Sequence, residues 1–156
     1  MLPGRYSQAG FLGSDERLAD VIAQDAGTVR ALGITCEAMA ESLRALIQRT
    51  LASAGREALF DDHFEVRVAI YKGFQMCPWT PTPHTGQCTA GGGVEFGSVD
   101  WRIRNLRTRQ ELQGSGLAVH LIRDHHFFEG LKSPHRIDPV ALARLLELAK
   151  PSATGR

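Results

Sequence analysis

Apolar residues at helical spacing mark the first third of the chain. Ser14 is a predicted N-cap, and "DERLADVIAQDAG" after it is predicted to form a helix that ends at Gly27. A second helical segment, "TVRALG", is expected to stop at Gly33. Thr35 is then the predicted N-cap of the strongest helix, which Gly55 ends. The apolar stripe of this helix consists of Met39, Leu43, Leu46, Ile47 and Leu51.

The hydrophobic period changes to two in the middle of the chain. In "HFEVRVAIYKGF", apolar residues at 64, 66, 68 and 70 alternate with mostly polar ones, as in a half-buried strand. The stretch "VDWRIRN" alternates in the same way, with Val99, Trp101 and Ile103 on one side. Between them, the glycines of "AGGGVEFGS" indicate turns or bulges around a short strand.

Helical spacing returns towards the C-terminus. "LAVHLIRDHHFFEG" is predicted to be a helix closed by Gly130, and "DPVALARLLELAK" a helix with Asp138 as N-cap and Pro139 at its first position. Consecutive strands favour antiparallel pairing, so the order predicts an α+β fold of N-terminal helices, a small antiparallel sheet and C-terminal helices. Residues 1–13 are interpreted as a flexible arm, and residues 14–151 as a single domain.

Composition places the chain among ordinary globular proteins. It has 156 residues, of which 43% are hydrophobic and 22% charged, and its net charge is +1. No stretch reaches the roughly 18 apolar residues of a membrane span, and the first residues lack the pattern of a secretory signal. We therefore expect a cytoplasmic protein without a membrane partner. Thiols stay reduced there, so a close cysteine pair favours metal or redox chemistry over a structural disulfide.

The loop "MCPWTPTPHTGQC" holds two of the three cysteines, Cys77 and Cys88. The later helix carries His120 and His125, whose separation falls in the His-x₃₋₅-His range of zinc sites. These four residues are the predicted zinc ligands. The ten residues between the cysteines do not fit the common Cys-x₂₋₄-Cys knuckle. Two unrelated core cysteines, or a redox pair, are the alternatives.

Two further residues belong to a second version of this site. His84, within the loop, can supply a ligand, and Asp124 can be a ligand or the acceptor that orients His120. A metal would also explain how such a loop is ordered. Ordering the backbone costs on the order of 1–2 kcal/mol of conformational entropy per residue. Binding of a structural zinc can contribute roughly 10–16 kcal/mol of free energy.

The stretch "WRIRNLRTR", which spans residues 101–109, concentrates arginines. Arg102 and Arg104 share one strand face and are candidate anion-binding residues, although a solvated strand edge is the simpler interpretation. No recognisable catalytic set is found in the sequence. The leading hypothesis is a zinc-stabilised, non-catalytic module that binds a protein partner or another copy of itself, as an interaction or accessory subunit. The alternatives are a zinc-dependent hydrolase and a nucleic-acid-binding protein that uses the arginine strand.

Overall fold

The computed structural model describes residues 10–81, 88–90 and 93–148. Within them, helices and strands follow the order α1 (Leu18–Ala31), α2 (Cys36–Ala52), β1 (Glu57–Phe60), β2 (Phe64–Ile70), β3 (Val99–Asn105), β4 (Gln110–Ser115), α3 (Leu117–His125) and α4 (Pro139–Leu145). The α+β fold class predicted from the sequence is confirmed.

The four strands form one antiparallel sheet in the order β1-β2-β3-β4. Val66, Ile103 and Leu112 lie opposite one another across three strands, and Val68, Trp101 and Gly114 form the next row. Their side chains share the face that α2 and α4 cover, because strand residues alternate between faces. The opposite face carries charged side chains and is open to solvent.

Local sequence signals explain where the helices begin. The Thr35 hydroxyl accepts a hydrogen bond from the Ala38 amide at 3.1 Å, and the Asp138 carboxylate accepts one from the Ala141 amide at 2.8 Å. The predicted caps at Thr35 and Asp138 are therefore present. The predicted Ser14 cap is wrong, because α1 begins only at Leu18, after Arg17, which makes no side-chain cap hydrogen bond. The prediction that Gly27 ends the first helix is wrong: α1 continues through it to Ala31. A glycine weakens a helix by about 1 kcal/mol, which the packing of Val21 and Val29 in the interior can offset.

Two edge strands and a helix end were not anticipated. β1 is only four residues long, and Leu112 is the only large apolar residue of β4, which extends to Ser115. A Cβ atom at Gly116 would overlap Phe96, so only glycine fits at the start of α3. α3 ends before Gly130, because His126 adopts a left-handed conformation with φ of 50°.

The interior consists of two apolar clusters. The larger one joins α2, α3 and α4 to the sheet and includes Leu43, Ile47, Val66, Trp101 and Leu142. The smaller one gathers Phe11, Leu12, Val21, Leu117, Leu121 and Phe127 around Cys77 and Cys88. Phe11 and Leu12 are thus buried, whereas residues 1–9 of the predicted arm lie outside the described residues.

No helix in the described ranges combines the length and the apolar character needed to cross a membrane.

Candidate metal centre

The segment after β2 carries Cys77 into the interior. Its backbone runs beside residues 97 and 98, with the Tyr71 amide donating to the Ser98 carbonyl at 2.9 Å and the Gln75 amide donating to the Gly97 carbonyl at 2.7 Å. A tight turn follows, closed by a hydrogen bond from the Thr80 amide to the Cys77 carbonyl at 2.9 Å. Cys77 is only 1% exposed as a result.

Helix α3 supplies the two imidazoles. An ideal helix places His120 and His125 about 140° apart around its axis, yet their ring centroids are 5.1 Å apart and their planes are inclined by 74°. His125 is the last helical residue, directly before the left-handed His126. The early helix end therefore explains how both rings reach one point.

The structure brings Cys77, Cys88, His120 and His125 together. One candidate ligand atom from each lies within 4.8 Å of all the others. Cys77 Sγ and His125 Nε2, for example, lie 3.2 Å apart. Zinc bonds of 2.0–2.3 Å imply ligand atoms about 3.3–3.8 Å apart. A pair at the 4.8 Å limit would need to close by about 1–1.5 Å, so the four side chains can hold a metal ion.

The ring nitrogens of His120 give independent evidence that this site suits a metal ion. The side chain is 2% exposed, and its Nε2 has no hydrogen-bond partner among the described residues. A buried polar atom without a partner costs about 1–3 kcal/mol. A metal ion bound at Nε2 would remove this cost, so the donor set fits a metal.

Asp124 lies on the other side of the same ring. Its Oδ2 is 2.6 Å from His120 Nδ1, a close polar contact that lacks the angle of a hydrogen bond. Arg123 binds Asp124 through two hydrogen bonds of 2.9 Å each, and these bonds hold the pKa of Asp124 below its usual value. Asp124 is thus placed to orient the His120 ring.

Burial shifts the protonation of the candidate ligands in the metal-free protein. It lowers the pKa of His125 to about 4 and also lowers that of His120, so both rings are neutral at pH 7 and can donate to a metal. Burial raises the pKa of the Cys77 thiol to about 12. A cation is therefore needed to stabilise the thiolate in this apolar environment.

Aromatic rings form a wall around the centre. The Trp79 ring stacks on His125 with centroids 4.0 Å apart and planes inclined by 9°. Phe127 meets the edge of Trp79 at 5.5 Å. These rings limit the access of water to His125. Sequence analysis did not assign Trp79 and Arg123 to the site, although each lies within two residues of a predicted site residue.

The remaining predicted site residues lie elsewhere. His84 is outside the described residues. Arg102 and Arg104 are on the open sheet face, where Arg102 pairs with Glu111 and Arg104 with Glu65. An anion at these arginines would have to displace a carboxylate, and their binding role stays a prediction.

No family model, curated protein or solved structure matches this chain.

Proposed function

We propose that this protein is a zinc-stabilised, non-catalytic module that binds a protein partner. The observation that carries the proposal is the convergence of two thiols and two imidazoles, with ligand atoms within 4.8 Å of one another, in the protein interior. Cys77, Cys88, His120 and His125 would hold the ion, and the ion would tie the loop after β2 to α3.

The donor set favours zinc over other divalent metals. Thiolate and imidazole ligands in a set of four are typical of tetrahedral zinc sites, whereas calcium and magnesium bind oxygen ligands. All three cysteines lie in the described part of the chain and none forms a disulfide, as expected in a reducing compartment such as the cytoplasm.

Four protein ligands also favour a structural over a catalytic role. A catalytic zinc keeps one coordination position for water or substrate, and a site closed by four side chains has none. Cys77, Cys88 and His120 are all buried, which would further restrict access for a substrate. The hydrolase alternative needs one of the four to leave the ion.

Exposed apolar side chains next to the metal loop support a partner-binding role. Ile70, Tyr71 and Phe74 are 49%, 59% and 56% exposed, and all three lie within seven residues of Cys77. Large apolar side chains grouped on a surface are typical of interaction sites. A second copy of the chain is the other occupant that such a surface would accept.

Metal analysis with cobalt substitution tests the proposal. We expect one zinc per purified chain. The Co(II) protein should show the visible absorption of tetrahedral thiolate coordination, and added azide should not change it because no coordination position is open. A purified protein that binds no zinc would refute the metal site. A spectrum that azide changes would instead favour the hydrolase.

A further inference from the structure

A cleft of about 790 Å³ lies on the open face of the sheet, away from the metal ligands. Its floor is formed by β2, β3 and β4, and the loop that includes Pro134 and His135 forms one wall. Its volume is in the range of ligand sites. The width of the sheet from β1 to β4, three strand spacings, is roughly 14 Å.

One row of residues across the floor of this cleft has short side chains. Ala69, Asp100 and Ser115 lie opposite one another on β2, β3 and β4, and their side chains point to the open face. Asp100 thus lies between a methyl group and a hydroxymethyl group. Its carboxylate is accessible from the cleft over these short neighbours.

Asp100 differs from the other carboxylates of the cleft, those of Glu57 and Glu129, in having no hydrogen-bond or ion-pair partner among the described residues. Within the described residues, its carboxylate has no hydrogen bond and no ion pair, and its one recorded electrostatic neighbour is His135. The surrounding protein raises the pKa of Asp100, because burial disfavours the charged carboxylate. A cation next to Asp100 would offset this cost.

The arginines at the cleft are mostly neutralised. Arg67 donates to Glu57 at 2.9 Å, Arg102 to Glu111 at 2.5 Å, and Arg136 to Asp25 at 2.6 Å. Arg56 makes no ion pair with the described residues, but it precedes β1, and the backbone there is two strand spacings, or roughly 10 Å, from β3. An incoming anion would compete with carboxylates already in place, whereas a cation at Asp100 would displace nothing.

The walls add groups that suit a guanidinium ion. The Tyr71 ring is exposed and lines the cleft beside the Ala69–Asp100 row. Glu129 also lines the cleft, and its Oε2 accepts a hydrogen bond from Ser133 Oγ at 2.5 Å. A planar guanidinium can bond to a carboxylate with two N–H groups while it stacks on an aromatic ring.

We propose that this cleft binds an arginine side chain of a partner protein, with Asp100 as the carboxylate that receives it and Tyr71 as the ring on which it stacks. The proposal rests on the partner-binding role proposed above and supplies the chemistry of the partner. A peptide segment fits better than a free cation because the cleft volume far exceeds one side chain and the cleft continues across the sheet.

The probe is the acetylated and amidated peptide Ala-Ala-Arg-Ala-Ala, titrated into the zinc-loaded, ¹⁵N-labelled protein. The matched peptide has citrulline, the neutral isostere of arginine. We expect saturable shifts of the amides of residues 69–71, 99–101 and 114–115, with affinity for the arginine peptide at least tenfold higher. Equal binding of the two peptides, or shifts located elsewhere, would overturn the proposal.

Protein variants locate the interaction. Asp100→Asn should weaken binding at least tenfold, and Ala69→Arg should abolish it by placing a cation opposite Asp100. Glu65→Gln removes a carboxylate from the same sheet face outside the cleft and should change the affinity less than twofold. Unchanged binding by Asp100→Asn or Ala69→Arg contradicts the assignment.

Two further measurements separate the possible failures. If ethylguanidinium binds as tightly as the arginine peptide, the ligand is a small cation, and the partner-protein proposal is wrong. Zinc content is measured on every sample. A sample with one zinc per chain and no peptide binding refutes the cleft alone, whereas a protein without zinc refutes the metal site.

Discussion

The Sγ atom of Cys77 lies 3.2 Å from Nε2 of His125, although 48 residues separate the two in the chain. This contact joins the loop after β2 to the last residue of α3, and Trp79 covers it by stacking on the imidazole. An ion bound between these atoms would hold two segments that share few backbone hydrogen bonds. The stability of the whole loop should therefore depend on the metal.

Replacement of a ligand cysteine tests this dependence. Cys77→Ala should abolish stoichiometric zinc binding, and the variant should lose the stabilisation that excess zinc gives the wild type. That stabilisation is about 4 kcal/mol when free zinc is a thousandfold above its dissociation constant. The measurement is thermal unfolding with and without added zinc, together with the zinc content.

Cys36 offers the matched control. It is also buried, but it lies at the start of α2 in the larger apolar cluster. Cys36→Ala should bind one zinc and keep the zinc-dependent rise in unfolding temperature. The metal site is wrong if Cys36→Ala and Cys77→Ala lose zinc equally.

The adjacent histidines His125 and His126 provide a second test. His125 points towards Cys77, whereas His126 is half-exposed and its Nε2 lies 3.0 Å from a Glu37 carboxylate oxygen. His125→Asn should lose the tetrahedral Co(II) spectrum, and His126→Asn should retain it. Asparagine tolerates the left-handed conformation at position 126, so the control should fold.

Replacement of Asp124 tests whether its carboxylate orients the His120 ring. We expect Asp124→Asn to bind zinc with the same stoichiometry but 10–100-fold more weakly, the usual effect of removing a carboxylate behind a ligating histidine. Competition with a coloured chelator measures the affinity. Arg123→Gln should have a smaller effect in the same direction, because Arg123 acts on the ring only through Asp124. Wild-type affinity in Asp124→Asn would show that the contact does not orient the ligand.

Sequence patterns predicted β3 and the start of α2 well, because side chains close in sequence determine them. The bounds of β3 match the alternation in "VDWRIRN", and α2 begins after its predicted cap. β4 escaped detection because Leu112 is its only large apolar residue, and its place depends on pairing with β3. The continuation of α1 through Gly27 likewise depends on tertiary packing.

The four candidate ligands could be predicted from the sequence. The geometry that brings them together could not. Two cysteines in a loop rich in proline indicated a metal, but the convergence of His120 and His125 depends on the end of α3 at His126. No local signal distinguished this left-handed residue from the helical histidine before it. The sequence left Asp124 either as a ligand or as the acceptor that orients His120, and the 2.6 Å distance between its Oδ2 and His120 Nδ1 favours the second role.

The buried Glu129 should make the stability of the folded protein depend on pH. It is 7% exposed with φ of 67°, and burial raises the pKa of its carboxyl group. The folded state therefore binds this proton more tightly than the unfolded state. The resulting stabilisation is fully present below the unfolded pKa, near 4.5, and is lost as the pH rises through the folded value.

Glu129→Gln should therefore melt above the wild type at pH 7.5 and match it near pH 4. Glutamine resembles the neutral acid and can still accept the Ser133 hydrogen bond. A gain of about 1 kcal/mol would raise the melting temperature by about 2–4 °C in a domain of this size. Glu65→Gln, which changes a half-exposed carboxylate on β2, should show no comparable difference between the two pH values. If Glu129→Gln were less stable than the wild type at pH 7.5, a favourable partner would outweigh the cost of burying the carboxylate, and the prediction would be wrong.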